Sequence, residues 1–420
     1  MQDDRLTALD ASFLAADSPA AHVHGGRAAN GPHDIDGDVL LTGATGFLGM
    51  ELLARYLERT HRTILAVVRA RGPEEAQARI DAVLELLFGE AGAYRPRVIP
   101  IPGDLERDGL GLQPAELDLI TQRASEVVHC AATVSFAAGL PESRRINVEG
   151  TRHVLALANR CAQRGVLRRV VHVSTAYVAG TYEGEFAEDD LWVGQQFRNP
   201  YERSKYEAEQ LVRQHAPGLP GVTIVRPSII VGESTTGWTP SFNVLYVPLR
   251  GFAQRKLRVL PAERSAPVDV VPVDHVADAI IHLTTEEQKG LSTYHLVAAD
   301  RATTVARLIE LSAGGLHRRP PPVVPPALYR AGYPLLLACS GQRRRTALKR
   351  VAPFLPYYTM RVRYRRDRAA QKLDHARLRP PALESYYHRL LDYALHTNWG
   401  KQPISRPQTA ADSHLAARRA

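Results

Sequence analysis

An α/β fold, with a doubly wound parallel sheet and a smaller, mostly helical C-terminal lobe, is what this 420-residue sequence predicts. Three observations predict it. Apolar runs at 38–42, 63–68, 97–101, 126–130, 169–174 and 222–226 alternate with amphipathic stretches, the pattern of strands buried on both faces between helices. The first run passes into a glycine turn, after which Met50, Leu53 and Leu57 recur at helical spacing. Beyond residue 230 turn and proline signals multiply, and HRRPPPVVPP at 317–326 reads as a stiff linker. Right-handed crossovers in such a sheet gather ligands beyond the carboxyl ends of the strands.

The stretch DVLLTGATGFLGMELLARYLER is a strand, a tight turn and a helix N-terminus. Free N–H groups and the helix dipole make such a junction an anion site. The turn residues Gly43, Thr45, Gly46, Phe47, Leu48 and Gly49 are therefore candidates to hold a dinucleotide pyrophosphate, which makes the predicted sheet Rossmann-type. The next strand, in TILAVVRARG, ends at Arg69, twenty residues after Gly49. An NAD-selective fold offers a carboxylate there; this chain offers Arg69 and Arg71, which suit a 2′-phosphate, so NADPH is favoured over NADH. Two solvated residues of an arginine-rich chain would read the same way.

Farther along, 147–163 is an amphipathic stretch with Val148, Val154, Leu155 and Leu157, and RVVHVSTAYVAG ends a strand by delivering Ser174 and Thr175. NPYERSKYEAEQLV then reads as a helix with Tyr201 and Lys205 on one face at i, i+4. Only six of the 53 Lys+Arg residues are lysines, and Lys205 is the first of them. An ammonium beside a phenol favours phenolate, so the expectation is a Tyr201 pKa pulled down from about 10. The bland alternative is a surface contact. Asp274 and His275 read as a helix cap, and His129 and His172 as strand residues.

The segmentation that follows is a flexible leader over 1–36, a nucleotide-binding domain with insertions over 37–317, the helical lobe over 318–400 and a frayed tail over 401–420. With 45% hydrophobic and 23% charged residues the composition is globular, and no apolar run approaches the roughly 20 residues of a membrane span. The start, MQDDRLTALD, lacks the basic head and apolar middle of a signal peptide. Cys130, Cys161 and Cys339 are widely spaced and odd in number, which argues against a disulfide framework or a zinc site; His22 and His24 have no third ligand nearby. These features point to a cytoplasmic enzyme without metal. The net charge of +9 suits phosphates, an acidic carrier protein or an anionic membrane surface, and arginine-rich usage alone would produce it too. No nucleic-acid-binding signature is present.

Taken in order, TGATGFLG, GDL, VVHCAATVSF, NVEGT, VSTAYVAG, YERSK and RPSIIVG resemble the extended short-chain dehydrogenase/reductase superfamily over residues 38 to about 300. HCAATVSF, STAYV and VRPSIIVG are similar to fatty acyl-CoA reductases and to thioester reductase domains. That resemblance implies a reductase of acyl thioesters, bound to coenzyme A or to a carrier protein, yielding aldehyde or alcohol. It implies that Thr175, with Ser174 as understudy, and Tyr201 hold the substrate carbonyl oxygen, while Lys205 holds the nicotinamide ribose. Asp104 and Leu105 would flank adenine, Ala131, Ala132 and Asn147 would support the cofactor site, and Pro227 and Ser228 would border nicotinamide. Another superfamily member acting on a sugar nucleotide, sterol or secondary alcohol, as epimerase, dehydratase or dehydrogenase, is the alternative; a non-catalytic NADP-binding regulator would have no use for the Thr175, Tyr201 and Lys205 set. The apolar patches at 329–337 and 354–358 read as core, with an acyl tunnel or peripheral membrane contact as the other readings. The leader RLTALDASFLAADSPAAHVHGG resembles the start of bacterial wax ester synthase/diacylglycerol acyltransferases, but their HHxxxDG motif is absent, so no acyltransferase activity is implied.

Overall fold

The computed structural model describes residues 37–417 except 137, 243, 258 and 287. The expected leader, with His22 and His24, lies outside the described residues. Each predicted apolar run forms a strand whose ends agree to within a residue or two: β1 Asp38–Thr42, β2 Ile64–Val68, β3 Val98–Pro102, β4 Ala124–His129, β5 Arg169–Val173 and β6 Gly221–Pro227. A further strand, β7 Gly290–Leu296, adds to β6 at one edge. Its sequence GLSTYHL lacks the continuous apolar character of a central strand and was not foreseen. The order is β7-β6-β5-β4-β1-β2-β3, every pairing parallel.

Alternation along the strands sorts the core into two layers. Val39 and Leu41 of β1 face one side and pack with helices α1 Phe47–Arg59, α2 Pro73–Phe88 and α6 Val273–Leu283. Leu40 faces the other side, toward α3 Pro114–Arg123, α4 Gly150–Gln163 and α5 Pro200–His215. The predicted 147–163 helix starts earlier: Leu140–Arg144 is helical and a π-helical turn, Arg145–Glu149, leads into α4.

The C-terminal third departs from the sequence reading. The 317–326 run is more than a spacer, since Val323–Val324 pairs with Leu260–Pro261. Within the mostly helical lobe one short strand, Val362–Tyr364, pairs in parallel with Gly184–Phe186. One apolar cluster joins Ala176, Tyr177 and Phe186 to Tyr357, Leu390 and Trp399. Within the expected tail Arg406–Ala417 is helical, and Arg406 meets Glu233 at 2.5 Å, Glu58 at 2.9 Å and Glu51 at 3.4 Å. Such partners, distant in sequence, leave no local signal. Asp274 is no cap; it lies within α6 and accepts hydrogen bonds from the Ser234 N–H and hydroxyl at 3.1 and 2.6 Å.

Among the described residues no helix is long and apolar enough to cross a membrane.

Candidate active site

The glycine turn is shaped by close backbone approach. Gly43 has φ +81°, and a Cβ there would stand 2.7 Å from the Ala131 nitrogen. A Cβ on Gly49 would stand 1.9 Å from the Gly43 carbonyl oxygen. Gly49 therefore lets α1 pack onto the turn, whereas Gly46, at the N-cap, leaves the helix end without a side-chain cap or an acidic first-turn residue. Uncapped N–H groups at a turn no side chain can fill fit the pyrophosphate of a dinucleotide. Gly49→Ala should weaken binding of a reduced nicotinamide dinucleotide at least tenfold, checked by fluorescence titration; undiminished affinity would show that the turn does not hold the phosphates.

All the other predicted motifs fall at the same, carboxyl edge of the sheet. Arg69 follows β2 and is exposed; its carbonyl accepts from the Arg79 guanidinium, a third arginine at this edge that the sequence reading passed over. Arg71 reaches solvent and stands 3.6 Å from Glu75. Asp104 and Leu105 follow β3; the Asp104 carboxylate accepts from the Glu106 N–H at 3.0 Å, and the Leu105 carbonyl lies 2.9 Å from His153 Nδ1. After β4, Ala131 donates its N–H to Thr42 Oγ1 at 3.3 Å and half-buried Ala132 follows.

Asn147, on the π-helical turn, is buried and accepts from the Thr133 N–H at 2.8 Å while donating to the Thr133 carbonyl at 3.1 Å and to Ser204 Oγ at 2.9 Å. It thereby pins the loop after β4 to α5. Two buried histidines lie behind it. His129 bridges Thr42 Oγ1 at 2.8 Å and Thr151 Oγ1 at 3.0 Å, and its burial lowers its pKa to about 3. His172, 5.4 Å away ring to ring, is likewise held neutral by burial.

α5 begins where local chemistry says it should. The Asn199 side chain accepts from the Glu202 N–H at 3.0 Å, Pro200 takes the first turn, and Glu202 adds a carboxylate there. That start places Tyr201 and Lys205 toward the strand ends. Thr175, after β5, donates to the Pro227 carbonyl at 3.4 Å, accepts from the Tyr177 N–H at 3.3 Å and lies beside the Tyr201 hydroxyl. Pro227 ends β6, and Ser228 beside it is buried.

Three expectations change here. Burial raises the Tyr201 pKa to about 12, with Thr175 opposing and Glu202 and Cys130 adding to the rise. Lys205 does not bond the phenol; its Nζ donates to the Val173 carbonyl at 2.7 Å, and burial lowers it to about 8. Ser174 is no understudy: its hydroxyl donates to Glu209 at 2.7 Å, turned into a buried ion pair. Desolvation also pushes the Cys130 thiol up to about 12, too high for a thiolate nucleophile at neutral pH.

The sequence reading missed an aromatic wall. Phe136 lies 5.8 Å from the Tyr201 ring, 5.2 Å from Phe354 and 5.4 Å from Tyr357. Tyr357 donates to Glu202 at 2.7 Å and accepts from Asn199 at 2.8 Å, clamping the C-terminal segment onto the start of α5. Phe136 closes the VVHCAATVSF motif, but nothing local foretells that residues 354–358 reach it. Among the described residues no group of three His, Cys, Asp or Glu side chains is placed to hold a metal ion.

Comparison with known proteins gives concordant matches. The profile of an NAD-binding family described as Male sterility protein matches residues 41–280. An isonitrile lipopeptide synthase of Streptomyces coeruleorubidus is 35% identical over 65% of this chain and 18% of its own length. A fatty acyl-CoA reductase of Drosophila melanogaster is 31% identical over 59% of this chain and 53% of its own. The chain thus spans about half or less of these curated relatives. The crystal structure of the terminal R domain of the myxalamid PKS-NRPS pathway superposes with a TM-score of 0.76 at 27% identity, over 89% of this chain and 94% of that one.

Proposed function

The chain belongs to the Male sterility protein family, an NAD-binding branch of the extended short-chain dehydrogenases/reductases whose members are NAD(P)-dependent oxidoreductases, and on that premise we propose that it reduces acyl thioesters with NADPH. The observation that carries this reading is the wall of Phe136, Phe354 and Tyr357 against Tyr201, at the sheet edge where the Thr175 hydroxyl also lies. It joins two neutral hydroxyl donors to an apolar surface, which suits a carbonyl on an alkyl chain better than a polyhydroxylated sugar.

A reduced nicotinamide dinucleotide, when bound, supplies the hydride. The chain's own residues supply position and proton. Gly43, Thr45, Gly46, Phe47, Leu48 and Gly49 would hold the pyrophosphate, Asp104 and Leu105 would flank adenine, Ala131, Ala132 and Asn147 would support the site, and Pro227 and Ser228 would border the ring. A phenol raised to about 12 stays protonated at neutral pH, the state needed to donate to a carbonyl oxygen as negative charge develops on it. Thr175 supplies the second donor, and preorganised donors in a dry site are worth most when that charge appears. Lys205, fixed on the Val173 carbonyl, contributes a positive field and ribose contacts while it keeps its proton. Collapse of the resulting hemithioacetal expels the thiol and leaves an aldehyde; a second reduction gives the alcohol. An apolar pocket of about 40 Å³ lined by Leu245, Leu249, Phe252, Tyr358 and Tyr387 would take part of the alkyl chain. The thiol side is that of coenzyme A or a carrier protein; the lipopeptide synthase relative supports acyl thioesters generally.

Following NADPH absorbance with long-chain acyl-CoAs, carrier-loaded acyl groups, aldehydes and UDP-sugars tests the proposal. Consumption with thioesters is expected. Tightly retained NAD, with no net NADPH consumption, would instead mark an epimerase. We also expect Arg69→Glu to raise the KM for NADPH about tenfold and to shift preference toward NADH; an unchanged ratio of kcat/KM for the two would retire the 2′-phosphate assignment.

A further inference from the structure

Helix Pro326–Ala338 is inside out for a helix facing water. No residue in it is buried. Its exposed stripe is Leu328, Ala331, Gly332, Leu335, Ala338 and the following Cys339, at the i, i+3, i+4, i+7 spacing of one helical face. Leu328 is 65% exposed and Leu335 69%. The opposite side, with Tyr329, Tyr333 and Leu336, is the half-buried one. A surface helix ordinarily turns its polar residues outward, and a contiguous outward apolar face marks an interaction site. Within the thirteen residues Arg330 is the only charge.

The next helix, Gln342–Val351, is its chemical complement. Its ten residues include Arg343, Arg344, Arg345, Lys349 and Arg350 and no acid. Arg345 ties the two together, donating to the Leu337 carbonyl at 3.2 Å. The sequence favours core for 329–337; among the described residues, instead, no residue of this helix is buried.

We propose that this helix pair docks the enzyme onto an anionic lipid surface, the apolar stripe entering the headgroup–acyl boundary and the cationic helix pairing with lipid phosphates. Apolar residues followed at once by an acid-free cationic helix fit that surface better than a second copy of the chain, whose cationic helix would repel this one. Pro321 lines the apolar pocket assigned above to part of the alkyl chain, and the exposed helix begins five residues later. The surface inference does not depend on the reductase reading, and its readout contains no turnover.

The test is flotation of the full chain with vesicles of phosphatidylcholine alone or containing a third phosphatidylglycerol, at low and high salt. Binding is expected with the anionic vesicles, falling at least fivefold at high salt and at least tenfold in Leu328→Asp/Leu335→Asp. Both substitutions are at exposed positions, so thermal melting should match the parent. Arg345→Glu/Lys349→Glu should lose anionic selectivity. Absence of vesicle binding at low salt, or binding that the Leu328→Asp/Leu335→Asp variant retains, overturns the proposal. So does a concentration-dependent dimer, in sedimentation without lipid, that the same variant abolishes, because a second copy would then be the occupant. NADPH consumption in detergent-free buffer, measured in parallel, reports on the reductase reading separately.

Discussion

Tyr201→Phe should lower kcat by about 10²–10⁴-fold, the range expected for loss of a positioned proton donor, while leaving NADPH affinity and thermal stability near those of the parent. The substitution removes one oxygen. The ring keeps its contact with Phe136, and Thr175 keeps the Pro227 carbonyl as its partner, so the geometry should survive. What disappears is the hydroxyl that the proposed mechanism assigns as donor to the substrate oxygen. The pH profile separates this tyrosine from its neighbour. Tyr201, raised to about 12, remains protonated across the working range, whereas Lys205, lowered to about 8, loses its charge as pH rises through about 8. The parent kcat/KM should therefore fall on the alkaline side with an apparent pKa near 8. Steady-state rates from pH 6 to 10 check this. A Tyr201→Phe enzyme retaining more than a tenth of parental kcat would remove the proton-donor role.

Glu209→Ala should cost about 3–5 kcal/mol of stability, the usual consequence of leaving a buried charge without its partner. Arg226 is fully buried and meets Glu209 at 2.6 and 3.0 Å; it also donates to the Asp190 carbonyl at 2.6 Å, approaches His295 Nε2 at 3.1 Å and lies 5.2 Å above the Phe186 ring. Removing the carboxylate strands the guanidinium in the middle of the α5–β6 packing. Burial pushes the Glu209 carboxyl upward, but Arg226 and Arg213 outweigh it and hold the group below its ordinary value. A depressed carboxylate contributes stability that is full above its unfolded-state pKa and is lost as pH falls through the folded value. Denaturant midpoints at neutral pH should therefore separate parent and variant most, and the gap should narrow in acid. An unchanged midpoint at pH 7 would mean that Arg226 finds compensation elsewhere. Because Ser174 donates to Glu209, the variant also frees that hydroxyl; turnover per folded molecule should change far less than in Tyr201→Phe.

Local information in this chain ends at identifiable elements. Val39, Leu40 and Leu41 are apolar regardless of side, so a strand buried on both faces was legible, as was the run before each of the five strands that follow through β6. The helix bearing Tyr201 was legible because Asn199, Pro200 and Glu202 are start signals within four residues. The glycine turn was legible because only glycine tolerates φ +81° at Gly43 and a carbonyl 1.9 Å from a would-be Cβ at Gly49. β7 was not legible, since an edge strand with Ser292, Thr293 and His295 carries little apolar signal. Neither was the helical tail, whose anchor Arg406 finds carboxylates as far back as Glu51.

What the sequence by itself determined is thus the parallel sheet, the glycine turn and the delivery of Thr175, Tyr201 and Lys205 to one edge, because periodicity, capping and glycine conformation act over a few residues. Only the tertiary structure decided how those groups titrate and what surrounds them. Burial turned Tyr201 upward instead of downward, Glu209 claimed Ser174, residues 354–357 walled the site against Phe136, and the 326–338 helix was left with its apolar face outward. Each of these outcomes depends on desolvation or on a partner far along the chain, and neither quantity exists until the fold has closed.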